Sequence, residues 1–172
     1  MIQLVPLSAV APQAVEALLD RAFGADRRGR TAYKVREGTV PIDALSFAAI
    51  RDGELAGTIQ CWPVALHADD GARVPMVMVG PIAVDPQWQQ AGIGRMLTRH
   101  ALDVAAGSGI EGADALMLIG DPEYYARFFG FSPERTGAWR LPGPFEARRL
   151  LALGPGVPDR TGIVAPRVLA TA

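Results

Sequence analysis

The sequence predicts a single domain of the mixed α/β (α+β) class: a mostly antiparallel central sheet with helices packed on it. Three observations carry that expectation. LSFAAIRDGELAGTIQCWPVAL (45–66) and RVPMVMVGPIAVD (73–85) read as three consecutive strands joined by short polar turns. A helical repeat after residue 92, followed by the apolar run ALMLIG (115–120), adds a βαβ unit whose crossover makes its two strands parallel. Val15, Leu18, Leu19, Ala22 and Phe23 mark a helix with one buried face.

Taken in order, IQLVPL (2–7) is a short strand, and the first helix follows it with Pro12 in its first turn and Gly24 at its end. Residues 24–43 are polar, rich in Arg and Gly, and fit a second short helix or a mobile loop. Asp52-Gly53 tolerates the positive φ of a tight hairpin and separates the next two strands. Gly80-Pro81 interrupts the third of these, and because proline cannot donate to a ladder a bulge is expected there. Ile93, Met96, Leu97, Ala101 and Val104 repeat at helical spacing until GSGIEGAD (107–114) ends the helix. Asp121-Pro122-Glu123 opens another helix with a cap, a proline at its first position and a carboxylate at the positive dipole end, and Gly130 closes it. FEARRLLAL (145–153) is the clearest remaining strand, and the Gly- and Pro-rich stretch from about 154 is expected as a loosely ordered tail.

Composition excludes several functions. The chain has 172 residues, enough for one sizeable core, and 17 basic against 18 acidic residues leave a net charge of -1. No bulk field draws in nucleic acid or an anionic membrane. Cys61 is the only cysteine, and no Cys/His cluster has metal-ligand spacing, so neither a disulfide nor a metal is expected. No apolar run approaches the roughly 20 residues of a membrane span, and the N-terminus lacks a charged signal region, so a cytoplasmic protein is expected.

The informative stretch is QWQQAGIGRMLTRH (87–100), where two glycines stand between a strand and a helix. A Walker A loop would need Lys-Ser or Lys-Thr after Gly94, where Arg95-Met96 stands, and a dinucleotide fingerprint would need Gly or Ala at Leu97. What remains is the general case of backbone amides at a helix start, with side-chain-free residues that let a bulky anion approach. A helix that merely begins with glycines is the plainer alternative.

Gln89-x-x-Gly92-x-Gly94 resembles the Q/R-x-x-G-x-G/A motif of the GCN5-related N-acetyltransferase (GNAT) superfamily, and IGDPEYYARFFGF (119–131) resembles that family's G-D-P-x-Y-Y-x-x-F-G-F segment. The order of elements agrees with the family over about residues 73–133. The resemblance implies a GNAT-like sheet of about six or seven strands with a splayed parallel pair. It further implies acetyl-CoA as co-substrate, with pyrophosphate held by the amides of Gln89, Gln90, Ala91, Gly92, Ile93, Gly94 and Arg95. Ile82, Ala83 and Val84 would guide pantetheine, and an unidentified primary amine of a small molecule or peptide would accept the acetyl group.

Such a transfer needs a neutral amine, donors for a developing oxyanion and an acid for the departing thiolate. A backbone amide freed by the bulge could supply the donor. Tyr124 and Tyr125 are the candidate acids. Counting back from Gly130-Phe131 selects Ala126, whereas counting forward from Gly120-Asp121-Pro122 selects Tyr125, the preferred residue, with the extra position absorbed as a helix bulge.

No base stands out. His67 lies near Asp69 and Asp70 and fits a surface turn, His100 falls near a buried helical stripe, and Glu37, Asp43 and Glu54 fit solvated charges that could instead bind a cationic acceptor. A water chain would serve without them. Cys61 has no paired histidine, Met76 and Met78 fit sheet packing, and Trp139 and Phe145 could line an acceptor pocket or pack the last strands. Arg27-Arg28-Gly29-Arg30, the only basic cluster, fits a solvated loop or a site for the CoA 3'-phosphate. A non-catalytic acyl-CoA-binding module would use the same glycines, and exposed C-terminal strands offer edges through which two copies could pair as a homodimer.

Overall fold

The computed structural model describes residues 1–169. Its strands are β1 (Ile2–Pro6), β2 (Phe47–Arg51), β3 (Glu54–Ala68), β4 (Arg73–Val84), β5 (Leu116–Ile119), β6 (Trp139–Arg140), β7 (Leu150–Leu153) and β8 (Gly162–Pro166). The helices are α1 (Pro12–Phe23), α2 (Thr31–Val35), α3 (Ile93–Ser108) and α4 (Pro122–Phe129), with short 3-10 turns between several elements. The strands form one mixed sheet in the order β1-β2-β3-β4-β5-β7, with β8 beside β3 and β6 beside β8. Pairings β1-β2, β2-β3, β3-β8 and β5-β7 are antiparallel. β4-β5 is parallel, as the βαβ reading requires.

Eight strands exceed the expected six or seven. The difference lies in the two-residue β6, too short to show a pattern, and in β8, which pairs Gly162–Pro166 with Ala68–Val64 inside the stretch expected as a loose tail. The strand expected over 145–153 shrinks to Leu150–Leu153, because residues 147–149 form a 3-10 turn. Among the described residues no helix is long and apolar enough to cross a membrane.

The chain divides into two compact units. The first comprises Met1–Gly29, Pro41–Cys61 and Gly80–Gly107. There, Val15, Leu18 and Leu19 of α1 pack with Ala83 of β4, bordered by Leu7, Val10, Ala22, Phe23 and Leu55. Asp52 (φ 51°) and Gly53 (φ 81°) make the β2-β3 turn with two left-handed residues, which matches the twist of the strands they join. The basic cluster is not a free loop: Arg27 is 1% exposed, and its guanidinium bonds Glu16 and, at 2.9 Å, Asp20. A buried arginine needs such partners, so Arg27 ties the segment after α1 back onto that helix.

Helix α3 lies close against β3 because residue 57 has no side chain. A Cβ on Gly57 would stand 2.8 Å from Ile93 Cγ2, 3.0 Å from the Ala83 carbonyl oxygen and 3.1 Å from Leu97 Cδ1. His100, one turn further along, meets Phe47 edge-to-face at 4.4 Å and serves packing.

The second unit comprises Arg30–Val40, Trp62–Val79 and the chain from Ser108 onward. Its core joins Val64, Leu66, Met76, Met78, Met117, Leu150 and Val164 with Trp139, and Phe145 packs against it. Of the two readings of Trp139 and Phe145, the structure supports core packing. Arg167 fastens the end of this unit: its guanidinium donates to the carbonyls of Val64 (2.9 Å), Met76 (3.1 Å) and Glu111 (3.0 Å). Three carbonyls on one guanidinium explain why the Pro-rich end is ordered there.

Replacing Gly57 with Ala is expected to destabilise the protein by about 1–3 kcal/mol through overpacking, read as a lower urea midpoint with an unchanged slope.

Candidate active site

The glycine turn belongs to the first unit. β4 ends at Val84, Asp85 caps a short 3-10 turn over Pro86–Trp88, and α3 begins at Ile93. Asp85 Oδ1 accepts from the Gln87 amide at 3.1 Å, which explains why Asp-Pro-Gln turns here. The Ala91 amide donates to the Trp88 carbonyl at 3.2 Å, and the Met96 amide closes the first full helical turn on the Gly92 carbonyl at 3.0 Å. The amides of Ile93 and Gly94 come before that bond and have no carbonyl one turn back inside α3, so the positive end of the helix faces outward there.

The two glycines serve different purposes. Gly92 has φ 77°, a left-handed conformation costly to most residues, and a Cβ on it would meet no atom within 4 Å. Space beside the turn is therefore open. Gly94 is not left-handed, and its Cβ would make ordinary contact with Val84 Cγ2 at 3.5 Å and Ile82 Cγ2 at 3.9 Å. The first turn of α3 thus rests on the end of β4, with Ile82 and Val84 half-buried and Ala83 buried between them.

At Gly80 (φ 126°) the backbone of β4 leaves the regular extended range, where the bulge was expected. The parallel β4-β5 ladder consists of Val77–Leu116 and Met78–Met117 and ends before that glycine.

Tyr125 belongs to the second unit. Asp121 caps α4 by accepting from the Glu123 amide at 3.0 Å, and Gly130 (φ 80°) ends it. α4 is regular throughout, so the expected helix bulge is absent; the added residue simply extends the helix to Phe129 before the left-handed glycine. The Phe131 amide reaches back to the Tyr125 carbonyl at 3.2 Å. The Tyr125 ring lies over Gly120, where a Cβ would come within 2.6 Å of its Cε2, and it is flanked by Tyr124 at 5.0 Å and Phe131 at 6.1 Å. Burial, then the neighbouring Tyr124 and Asp121, pushes its hydroxyl up to about 12. At neutral pH it holds its proton.

The other candidates find ordinary places. His67 is half-buried on β3 opposite Ile163, while Asp69 is engaged by Arg140 at 2.7 Å and Asp70 by Arg160 at 3.1 Å. Glu37, Asp43 and Glu54 are exposed. Cys61 is 2% exposed, and burial pushes its thiol up to about 12, which leaves it a poor nucleophile. Sequence reasoning missed Asp85 and its partner Arg21. The Asp-Pro pair was a legible cap signal, but nothing in the sequence links positions 21 and 85. Gly120 was legible only as part of a motif, not as the floor beneath Tyr125.

The mixed sheet with a glycine turn at the start of α3 matches the fold of known acetyltransferases. The model of the acetyltransferase (GNAT) family matches residues 13–131. This chain therefore belongs to the acetyltransferase (GNAT) family. It is 28% identical over 141 residues to YhbS, an uncharacterized N-acetyltransferase of Escherichia coli strain K12, covering 79% of this chain and 80% of that one. The crystal structure of the E. coli YhbS GNAT family N-acetyltransferase in complex with CoA superposes with a TM-score of 0.69 at 25% identity, covering 97% of this chain and 89% of that one. A GNAT family acetyltransferase from Brucella melitensis, solved in complex with acetyl-CoA, gives 0.65 at 26% identity, covering 97% and 96%.

The raised Tyr125 pKa has a visible consequence at high pH. In the unfolded chain a tyrosine ionises near pH 10. Its folded preference for the proton leaves the associated stability intact below about pH 10, and that stability is lost as pH climbs toward about 12. Ultraviolet titration should show a late tyrosine ionisation, and Tyr125→Phe should remove that step.

Proposed function

We propose that the chain is an acetyl-CoA-dependent N-acetyltransferase that transfers an acetyl group directly to a primary amine. The carrying observation is the turn at Gly92: a left-handed glycine with open space beside it, at the exposed N-terminus of α3. Family membership and the CoA and acetyl-CoA complexes of the two relatives support acetyl-CoA as the donor.

In this reading the backbone at Gln89, Gln90, Ala91, Gly92, Ile93, Gly94 and Arg95 holds the pyrophosphate. The Ala91 amide is already engaged with Trp88, so that residue contributes mainly the shape of the turn. Amides of the first helical turn supply fixed donors without reorganisation. The backbone of Ile82, Ala83 and Val84 guides the pantetheine arm.

Acetyl-CoA supplies the activated acetyl group. The amine gives up a proton and forms the new C–N bond as the C–S bond breaks, and the sulfur leaves with a proton to become the CoA thiol. Tyr125 provides that proton from its hydroxyl, which is in the donor form at neutral pH. Water takes the amine's proton.

Calorimetric titration with acetyl-CoA tests the donor site. The parent should bind, and Gly92→Asp should not, because the variant places a carboxylate where the pyrophosphate would lie. The open space at Gly92, and the tolerance of Asp for left-handed backbone, predict that this variant still folds. No binding by the parent would refute the proposal.

Tyr125→Phe tests the acid. It should lower kcat by about 100-fold or more while leaving acetyl-CoA affinity unchanged. Unchanged turnover removes Tyr125 from the mechanism. Tight binding without transfer to any amine would favour a non-catalytic acyl-CoA-binding module.

A further inference from the structure

The junction between β4 and the glycine turn is held by groups to which the proposed chemistry assigns no part. Asp85 is largely buried, and every polar group it has is used. Its amide donates to the Ala56 carbonyl at 2.8 Å, and its carbonyl accepts from the Trp88 amide at 2.8 Å. Oδ1 accepts from the Gln87 amide at 3.1 Å. Oδ2 accepts from Arg21 Nε at 3.3 Å and Nη2 at 3.0 Å. Trp88 then accepts from Ala91, the residue before Gly92. An unbroken series of hydrogen bonds thus runs from the last turn of α1 to the glycine turn.

We propose that Arg21 is a positioning residue for donor binding, acting through Asp85; this rests on the acetyl-CoA reading above. Two physical effects combine. The guanidinium fixes the carboxylate rotamer that caps Gln87, and so fixes the turn that presents the amides before α3. It also neutralises the one buried carboxylate in the turn, whose charge would otherwise repel a pyrophosphate. Arg21 is itself well placed, because a cation in the last turn of α1 complements that helix's negative end.

The pair faces an open cavity of about 500 Å³ that Glu54, Leu55 and Gln87 also line. Arg21's side chain is 49% exposed against 12% for Asp85. So exposed a cation adds little to global stability, and its loss should be felt in the turn rather than in the melting temperature.

The test compares the parent with Arg21→Ala, Arg21→Lys, Asp85→Asn and the double variant Arg21→Ala/Asp85→Asn. Acetyl-CoA affinity, kcat and KM, thermal melting and amide hydrogen exchange at residues 87–91 are measured for each. Arg21→Ala should weaken acetyl-CoA binding about three- to tenfold, raise KM with kcat little changed, and speed exchange in the turn. Arg21→Lys should recover most of the affinity, and the double variant should bind no worse than Asp85→Asn alone. If Asp85→Asn fails to fold, the two Arg21 variants carry the test. A parent and an Arg21→Ala variant that bind equally well overturn the positioning role, as does a lowered melting temperature with unchanged affinity. A parent that does not bind acetyl-CoA overturns the donor reading instead, and the parent titration alone tells the two failures apart.

Discussion

The close approach of α3 to β3 is the contact on which the first unit depends. Gly57 permits it by presenting no side chain to Ile93 and Leu97. The helix can then bury one face, and its N-terminus comes to rest against Ile82 and Val84 at the end of β4. A helix held further out would leave the glycine turn spanning a longer gap, with its amides no longer fixed by the strand beneath. The outward-facing start of α3 is therefore a product of core packing as much as of the local sequence.

Burial acts in the same direction on two reactive groups. The Cys61 thiol is useless as a nucleophile when desolvation holds it protonated. The same physics holds the proton on the Tyr125 hydroxyl more tightly. Gly120 makes this burial possible by leaving room for the ring, and the Phe131 amide anchors the Tyr125 backbone from the other side. Hence one motif carries both a catalytic candidate and the floor it lies on.

Much of this was legible in the sequence wherever the cause was local. The Asp52-Gly53 turn, the Asp121 cap and the Gly130 stop each follow from residues a few positions apart, and the βαβ crossover follows from the periodicity of successive segments. What escaped reading depends on partners beyond the few positions that a local motif spans. Arg27 looked like part of a solvated cluster because its carboxylates, Glu16 and Asp20, lie on α1. The order of residues 162–166 depends on β3, nearly a hundred positions earlier, and on the Arg167 clamp. The Arg21-Asp85 pair spans 64 positions and leaves no periodic trace. The site followed the same rule: its glycines were visible as a motif, whereas the groups that hold them were not.

The glycines have different structural reasons. Gly57 and Gly120 are explained by neighbouring atoms that leave no room for a Cβ, and Gly92 by its left-handed backbone. Gly94 has neither reason, since its backbone is not left-handed and an alanine there would make ordinary contacts with Ile82 and Val84. That fits a motif that admits glycine or alanine at this position. A side chain larger than methyl would run into Val84 and Ile82, so the packing of α3 on β4 itself favours a small residue at position 94.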